Sequence, residues 1–195
     1  FRSKSFYVPE ITCGGFTASG ERQEEHEKAE TIRLSCDRQP AMVRSVEKQT
    51  KTVQTPRLYD LTTLQRECNR IYGYTAQQTL DYLQSLYEKK LATYPRTDSQ
   101  YLTEDMQATV ASLVLWLRDN LPFGKGCKGE PDIERVTDGS KVTDHHAIIP
   151  TVEIARTDLA SLPSGERDVL TLIAARLLCA TSQAHKFEAV TASLD

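Results

Sequence analysis

Two apolar stripes at helical spacing, joined by a turn centred on one glycine, constrain this chain more than any other feature. Leu61, Leu64, Cys68 and Ile71 recur at intervals of three and four behind Asp60, a side chain suited to N-capping, and Gly73 supplies a stop. Thr75 to Gln78 then has the form of a capping box, and Leu80, Leu83 and Tyr87 carry a second stripe as far as Lys90. Helix, short glycine turn and helix together make a helix-turn-helix pattern. A third helix is expected from about Thr103 to Asp119, with Met106, Val110, Leu113, Val114 and Leu117 on one side. A fourth is expected from a Ser164 cap through Leu170, Ile173, Ala174, Leu177 and Leu178.

Strand-like stretches bracket these helices. Lys4 to Val8 reads as one short strand, and Gly14-Gly15 as a turn into a second. Gly20 to Glu30 is charged; Ile32, Leu34 and Cys36 then alternate like a strand, but Ala29, Ile32 and Cys36 also fit a helical stripe, and a helix ending near Asp37 is the preferred reading. Met42 to Val53 reads as a half-exposed strand, and Glu188 to Leu194 as a closing one. Phe123 to Gly139 is rich in Gly, Lys and Asp and reads as a mobile loop. The fold class is therefore α+β. Residues 1–58 and 153–195 are expected to form one discontinuous strand-rich domain, and residues 59–152 an inserted α-helical domain.

Composition narrows the function classes. With 195 residues and 39% hydrophobic content the chain can bury at least one core, and no apolar run is long enough to span a membrane. It begins with Phe1 and stops at Asp195 just after a strand-like run, so it reads as part of something longer. The five cysteines lie 23 or more residues apart, which offers no zinc spacing, and they read as free thiols of a reducing cytoplasm, mostly in the core. A formal charge of -3 does not advertise nucleic-acid binding, so any DNA affinity must come from local clusters or from further domains.

Chemistry concentrates at Leu91 to Ser99. Pro95 biases Tyr94 away from helical backbone angles, which presents its phenol on an extended or turn segment just after a helix. Arg96, two residues on, projects to the same side of such a segment. A phenol is a nucleophile for phosphorus and a guanidinium forks to phosphate oxygens, although a Tyr beside a Pro is also an ordinary turn or packing residue. His145 and His146 point to opposite faces if their segment is extended, so only one can serve a given phosphate; the bland alternative is a pair of surface histidines. Asp98 and Ser99 are turn formers or supports of the site. Gln65 and Thr63 on the first helix are candidate DNA contacts or merely solvated. Lys90, with Lys89, either steers phosphate or ends a helix. Tyr72, Tyr74, Tyr82 and Tyr87 are read as core or interface residues rather than base-stacking platforms.

Three segments in order carry a family resemblance. Leu91-Ala-Thr-Tyr-Pro-Arg-Thr-Asp-Ser99 resembles the active-site segment of type IA DNA topoisomerases, especially bacterial topoisomerase III. Pro56 to Gln65 resembles the start of that family's active-site domain, and Thr143-Asp-His-His-Ala-Ile-Ile-Pro-Thr151 its histidine motif. The resemblance implies a strand-rich gate and hinge domain with an inserted active-site domain. It also implies that single DNA strands are cut through a 5'-phosphotyrosine at Tyr94 and resealed without ATP after a strand has passed. Arg96 and His145 would assist at the phosphate, with His146, Asp98, Ser99, Gln65, Thr63 and Lys90 in supporting or DNA-contacting roles. Converting a free phenol to phenolate at neutral pH costs about 4 kcal/mol, so nearby positive charge such as that of Arg96 must help. The family's Mg2+ is held by an acidic N-terminal domain, and no paired carboxylates of that kind stand here. No metal site is expected in the chain, and the chain alone is expected to be inactive. Single-stranded DNA, that N-terminal domain, and a cytoplasmic, nucleoid-associated setting in a bacterium complete the implied picture. The rival is a non-catalytic helix-turn-helix DNA-binding module, which leaves the Tyr94 and His145 motifs unused.

Overall fold

The computed structural model describes residues 2–127 and 129–195 and divides the chain into two units, residues 1–51 with 186–195, and residues 52–185. The expected boundaries at 58/59 and 152/153 are thus drawn elsewhere. The last helix accounts for the difference.

The smaller unit is built of strands and one helix. β1 (Glu10–Cys13) and β2 (Phe16–Ser19) form an antiparallel hairpin in which Glu10 faces Ser19 and Cys13 faces Phe16. Gly14 (φ 52°) and Gly15 (φ 140°) turn it, backbone values that residues with a Cβ rarely adopt. The strand expected at Lys4 to Val8 reduces to one bridge between Tyr7 and Gln23. Pro9, which has no amide hydrogen to donate to a ladder, follows it directly. α1 (His26–Cys36) is exposed apart from Ala29 and the half-buried Glu30, as its charged sequence requires. β3 (Val43–Val53) pairs with β4 (His185–Leu194), and Met42 and Asp195 exchange both amide bonds at 2.9 Å beyond their ends. Every residue of β3 is exposed, so the strand expected to be half-covered is not.

The larger unit holds the core. α2 (Leu61–Tyr72) starts on a complete capping box, with the Asp60 carboxylate accepting from the Thr63 amide at 2.6 Å, and it ends on Gly73 at φ 73°. α3 (Ala76–Glu88) starts on a second box made by Thr75 and Gln78. Each cap contributes about 1 kcal/mol, and together they fix the turn between the two helices. A 3-10 turn at Glu104–Met106 leads into α4 (Gln107–Asn120), which buries Val110, Leu113, Val114 and Leu117. The segment read as a mobile loop is partly packed. It contains 3-10 turns at Pro122–Gly126 and Glu134–Val136, and buried Val136 accepts the Leu102 amide at 2.9 Å.

α5 (Ser164–Thr181) is the element that moves the domain boundary. Its buried Val169, Leu170, Ile173, Ala174, Leu177 and Leu178 join the core formed by Leu64, Leu83, Leu86 and Leu117. Polar ties reinforce the packing. Tyr74 donates to Asp168 at 2.7 Å, which pushes the Tyr74 phenol up to about 12. Glu166, 7% exposed, accepts from Ser85 at 2.9 Å and from Lys89 at 2.5 Å. Arg176 pairs with Glu67 and donates to the Tyr59 hydroxyl at 3.0 Å. An apolar stripe read from sequence says that a helix is buried but not against what, which is why residues 153–185 were expected in the other domain. The helix begins behind Pro163 without a side-chain cap, rather than on one from Ser164. Of the cysteines, only Cys68 is buried; Cys36 and Cys179 are exposed, so the thiols are not mostly core. No helix among the described residues is long and apolar enough to cross a membrane.

Gly165 shows how close α5 lies to α3: a Cβ there would stand 2.4 Å from the Tyr82 ring. Gly165→Ala is expected to destabilise the 52–185 unit by about 1–3 kcal/mol through overpacking, read as a lower urea midpoint with an unchanged slope. An unchanged midpoint would show that the two helices do not pack this tightly.

Candidate active site

The site is assembled on the segment from His145 to Thr151, which runs between other extended pieces and bonds to both sides. Ile148 donates to the Tyr59 carbonyl at 2.8 Å and Ala147 to that of Tyr101 at 2.9 Å. Thr93 donates to Ile149 at 3.0 Å and Thr151 to Leu91 at 3.0 Å, with an Ala92–Pro150 bridge between. Leu91, Ala92, Ala147, Ile148 and Ile149 are buried, so apolar burial at these hydrogen-bonded positions anchors the seam. Lys90, at φ 62°, makes the bend from α3 into it, and its carbonyl accepts from the Thr151 hydroxyl.

Beyond Ala92 the chain alternates in its exposure. Pro95, Thr97 and Ser99 are buried, Arg96 and Asp98 are exposed, and Tyr94 is half-buried. This is the period-2 alternation of an extended segment, with Tyr94 and Arg96 on its outer side. The Tyr94 ring lies with its centroid 4.1 Å from that of exposed His145, tilted by 37°. Its other contact is edge-on with Tyr87, at 5.5 Å. Arg96 Nη1 donates to Gln84 Oε1 at 3.2 Å. Gln84 and Tyr87 are three apart on α3 and therefore share a face, so phenol and guanidinium lean on the same side of one helix. A half-buried tyrosine, an exposed histidine and an exposed arginine are thus brought together here. Such a set can approach an anionic phosphate and neutralise charge upon it.

The remaining residues singled out by sequence are placed differently. His146 is half-buried, with its Nδ1 2.8 Å from the Ala147 carbonyl, while His145 is the one against Tyr94. Ser99 is buried, donating to the Lys141 carbonyl at 3.0 Å and accepting from the Tyr101 amide at 3.2 Å. Asp98 is exposed, and the capping is done by Thr97, whose hydroxyl accepts the Ser99 amide at 3.1 Å. Gln65 donates to the Ala76 carbonyl at 3.0 Å and Thr63 closes the α2 cap, so both have helix-terminal partners. Lys89 is paired with Glu166, which leaves exposed Lys90 as the freer of the two ammonium groups. Tyr72, Tyr74 and Tyr82 form a packed cluster, with Tyr72 stacked on Tyr74 at 5.5 Å and Tyr74 edge-on to Tyr82 at 5.3 Å. Tyr87 differs from them in being 41% exposed.

Sequence reasoning passed over Thr93, Thr97, Gln84 and Tyr101. Thr93 accepts the Ile149 amide at 3.0 Å, and Lys141 Nζ lies 4.5 Å from the centre of the Tyr101 ring. The signal for the two threonines was present: they stand at i-1 and i+3 from Tyr94, on the opposite side of an extended strand from it. Among the described residues no three His, Cys, Asp or Glu side chains gather to hold a metal ion.

Substituting Thr93 by valine removes the acceptor for the Ile149 amide and is expected to cost about 1–3 kcal/mol of stability, seen as a lower thermal midpoint. Unchanged stability would mean that this hydroxyl does not help close the seam.

A family model described as DNA topoisomerase matches residues 1–195. A DNA topoisomerase 3 of Bacillus cereus is 36% identical over 170 residues, 85% of this chain and 23% of that protein. One of Staphylococcus haemolyticus is 36% identical over 198 residues, 97% of this chain and 28% of that protein. The chain therefore spans about a quarter of the length of these relatives. Full-length topoisomerase I from Thermotoga maritima superposes with a TM-score of 0.70 at 22% identity, covering 97% of this chain and 32% of that one, a likeness of fold. Matched by that family model along its whole length, the chain belongs to the DNA topoisomerase family.

Proposed function

We propose that this chain is the strand-cleaving part of a type IA enzyme of the topoisomerase III kind, with Tyr94 as nucleophile. The observation that supports this reading best is the placement of the Tyr94 ring, half-buried on a non-helical segment, 4.1 Å between centroids from His145 and on the same side as Arg96. In the proposed step the phenol oxygen bonds to a backbone phosphorus while the bond from phosphorus to the 3' oxygen breaks. The phenol proton leaves, the departing oxygen gains one, and the product is a 5'-phosphotyrosine with a free 3'-hydroxyl. One phosphoester replaces another, so the reverse step reseals the strand without ATP.

His145 and Arg96 contact the non-bridging oxygens and offset the charge that builds there. Lys90 attracts the neighbouring phosphate, and His146, Asp98, Ser99, Gln65 and Thr63 support the loop or the DNA path. The substrate is single-stranded DNA, and between cleavage and resealing another strand passes. The strand-rich unit serves as gate and hinge. Mg2+ is held by an acidic domain of the same protein lying N-terminal to this chain, so the 195 residues alone do not relax DNA. The setting is the cytoplasm of a bacterium, at the nucleoid.

In the complete natural protein, Tyr94→Phe is expected to abolish the covalent protein–DNA adduct while leaving single-strand affinity within about tenfold, because only the nucleophilic oxygen is lost. His145→Ala is expected to slow cleavage about 10²-fold or more. Arg96→Lys keeps the charge but loses the fork, and a fall of about tenfold is expected. An adduct that persists in Tyr94→Phe would refute the assignment. Magnesium-dependent relaxation of supercoiled plasmid by the isolated 195-residue chain would refute the need for the other domain.

A further inference from the structure

The bonds that hold the seam stop short of the histidine. From Ala147 to Thr151 the backbone is tied to Tyr101, Tyr59, Thr93 and Leu91. Upstream, the next tie is at Lys141, whose carbonyl accepts from Ser99, and Val142, whose amide donates to Gly139. Between these anchors lie residues 143–146, exposed at Thr143, Asp144 and His145. Among the described residues, a single hydrogen bond links this stretch to the tyrosine segment: Thr97 Oγ1 donates to the His145 carbonyl at 2.7 Å.

The Thr97 hydroxyl has both its donor and its acceptor role filled. The same hydroxyl accepts the Ser99 amide at 3.1 Å, so its one proton is left for the His145 carbonyl. Thr97 is itself 8% exposed, and its own carbonyl accepts the Leu61 amide at 3.1 Å, the first residue of α2. Thr97 is therefore tied through its carbonyl to the capped, half-buried start of α2, while its hydroxyl holds the backbone of His145. Tyr94 lies three residues before it on the same extended segment.

We propose that Thr97 is a positioning residue, whose hydroxyl sets where His145 stands against Tyr94 and so governs the cleavage step without touching DNA. This rests on Tyr94 and His145 acting together as proposed above. A side chain that fixes a reacting pair matters through geometry, and displacements of about 1 Å can cost about 10²-fold in rate.

The test uses the complete natural protein and a single-stranded oligonucleotide, with adduct formation timed at saturating DNA and binding measured separately. Thr97→Val is expected to slow adduct formation at least about tenfold, with affinity changed less than about threefold. Thr97→Ser, which keeps the hydroxyl, is expected to restore the rate to within about threefold of wild type. In a His145→Ala background, Thr97→Val is expected to add little further loss, because its effect passes through that histidine. Should the valine variant fold poorly, Thr97→Ala replaces it in the same comparison. A Tyr94-dependent adduct that forms at wild-type speed in Thr97→Val, a serine variant as slow as valine, or a full additional loss in the His145→Ala background would overturn the role of Thr97 alone. An adduct that survives Tyr94→Phe would overturn both it and the nucleophile.

Discussion

The extended segment from Ala147 to Thr151 bonds through its backbone to three stretches far from it in sequence, at Tyr59, at Leu91 to Thr93 and at Tyr101. The candidate site exists only because of that seam. Tyr94 and His145 are separated by about fifty residues of chain and a whole helix, and neither lies in an element that would bring it to the other by local propensity. Closing so long a loop costs conformational entropy, which the burial of Leu58, Tyr59, Leu91, Ala92, Ile148 and Ile149 offsets. The apolar seam comes first in the logic of the molecule, and the polar surface residues are positioned as its consequence.

A second layer of order lies behind the seam. Tyr59, whose carbonyl accepts from Ile148, is almost fully buried; burial pushes its phenol well above the usual range, partly opposed by Arg176. The Arg176 guanidinium also stands 4.2 Å from the centre of that ring and pairs with Glu67 of α2. Burial raises the Glu67 carboxyl, but the Tyr59 hydroxyl, Arg176 and Arg70 outweigh it and hold the group below its ordinary value. A group lowered in this way contributes stability above its unfolded value, and that contribution disappears as pH falls through the folded one. The network therefore links α2, α5 and the seam at neutral pH and weakens in acid.

Much of this was legible from residue patterns. The capping residues Asp60 and Thr75, the αL glycine Gly73 and the apolar stripes placed four helices, because these signals act over a few residues. The position of Tyr94 outside a helix followed from Pro95, and the three collinear motifs pointed to the family. What could not be read was partnership across the chain. α5 was correctly expected as a helix but joined to the wrong domain, since a stripe carries no address. β3 was expected to be half-covered, although alternation cannot say whether a covering layer exists. Lys89 and Lys90 looked alike in sequence, yet Glu166, 77 residues away from Lys89, pairs with only one of them. Thr97 drew no notice in the sequence, because the carbonyl it bonds to lies 48 residues away.

In the proposed reaction the oxygen that bonds to DNA belongs to Tyr94. That assignment is tested most directly by trapping the adduct of the complete protein with a labelled oligonucleotide and identifying the modified peptide by mass spectrometry. Trypsin cuts after Lys90 and after Arg96, so a nucleotide mass is expected on the peptide 91–96, carried by its tyrosine. A nucleotide found instead on Tyr87 or Tyr101, or on no tyrosine of this chain, would contradict it.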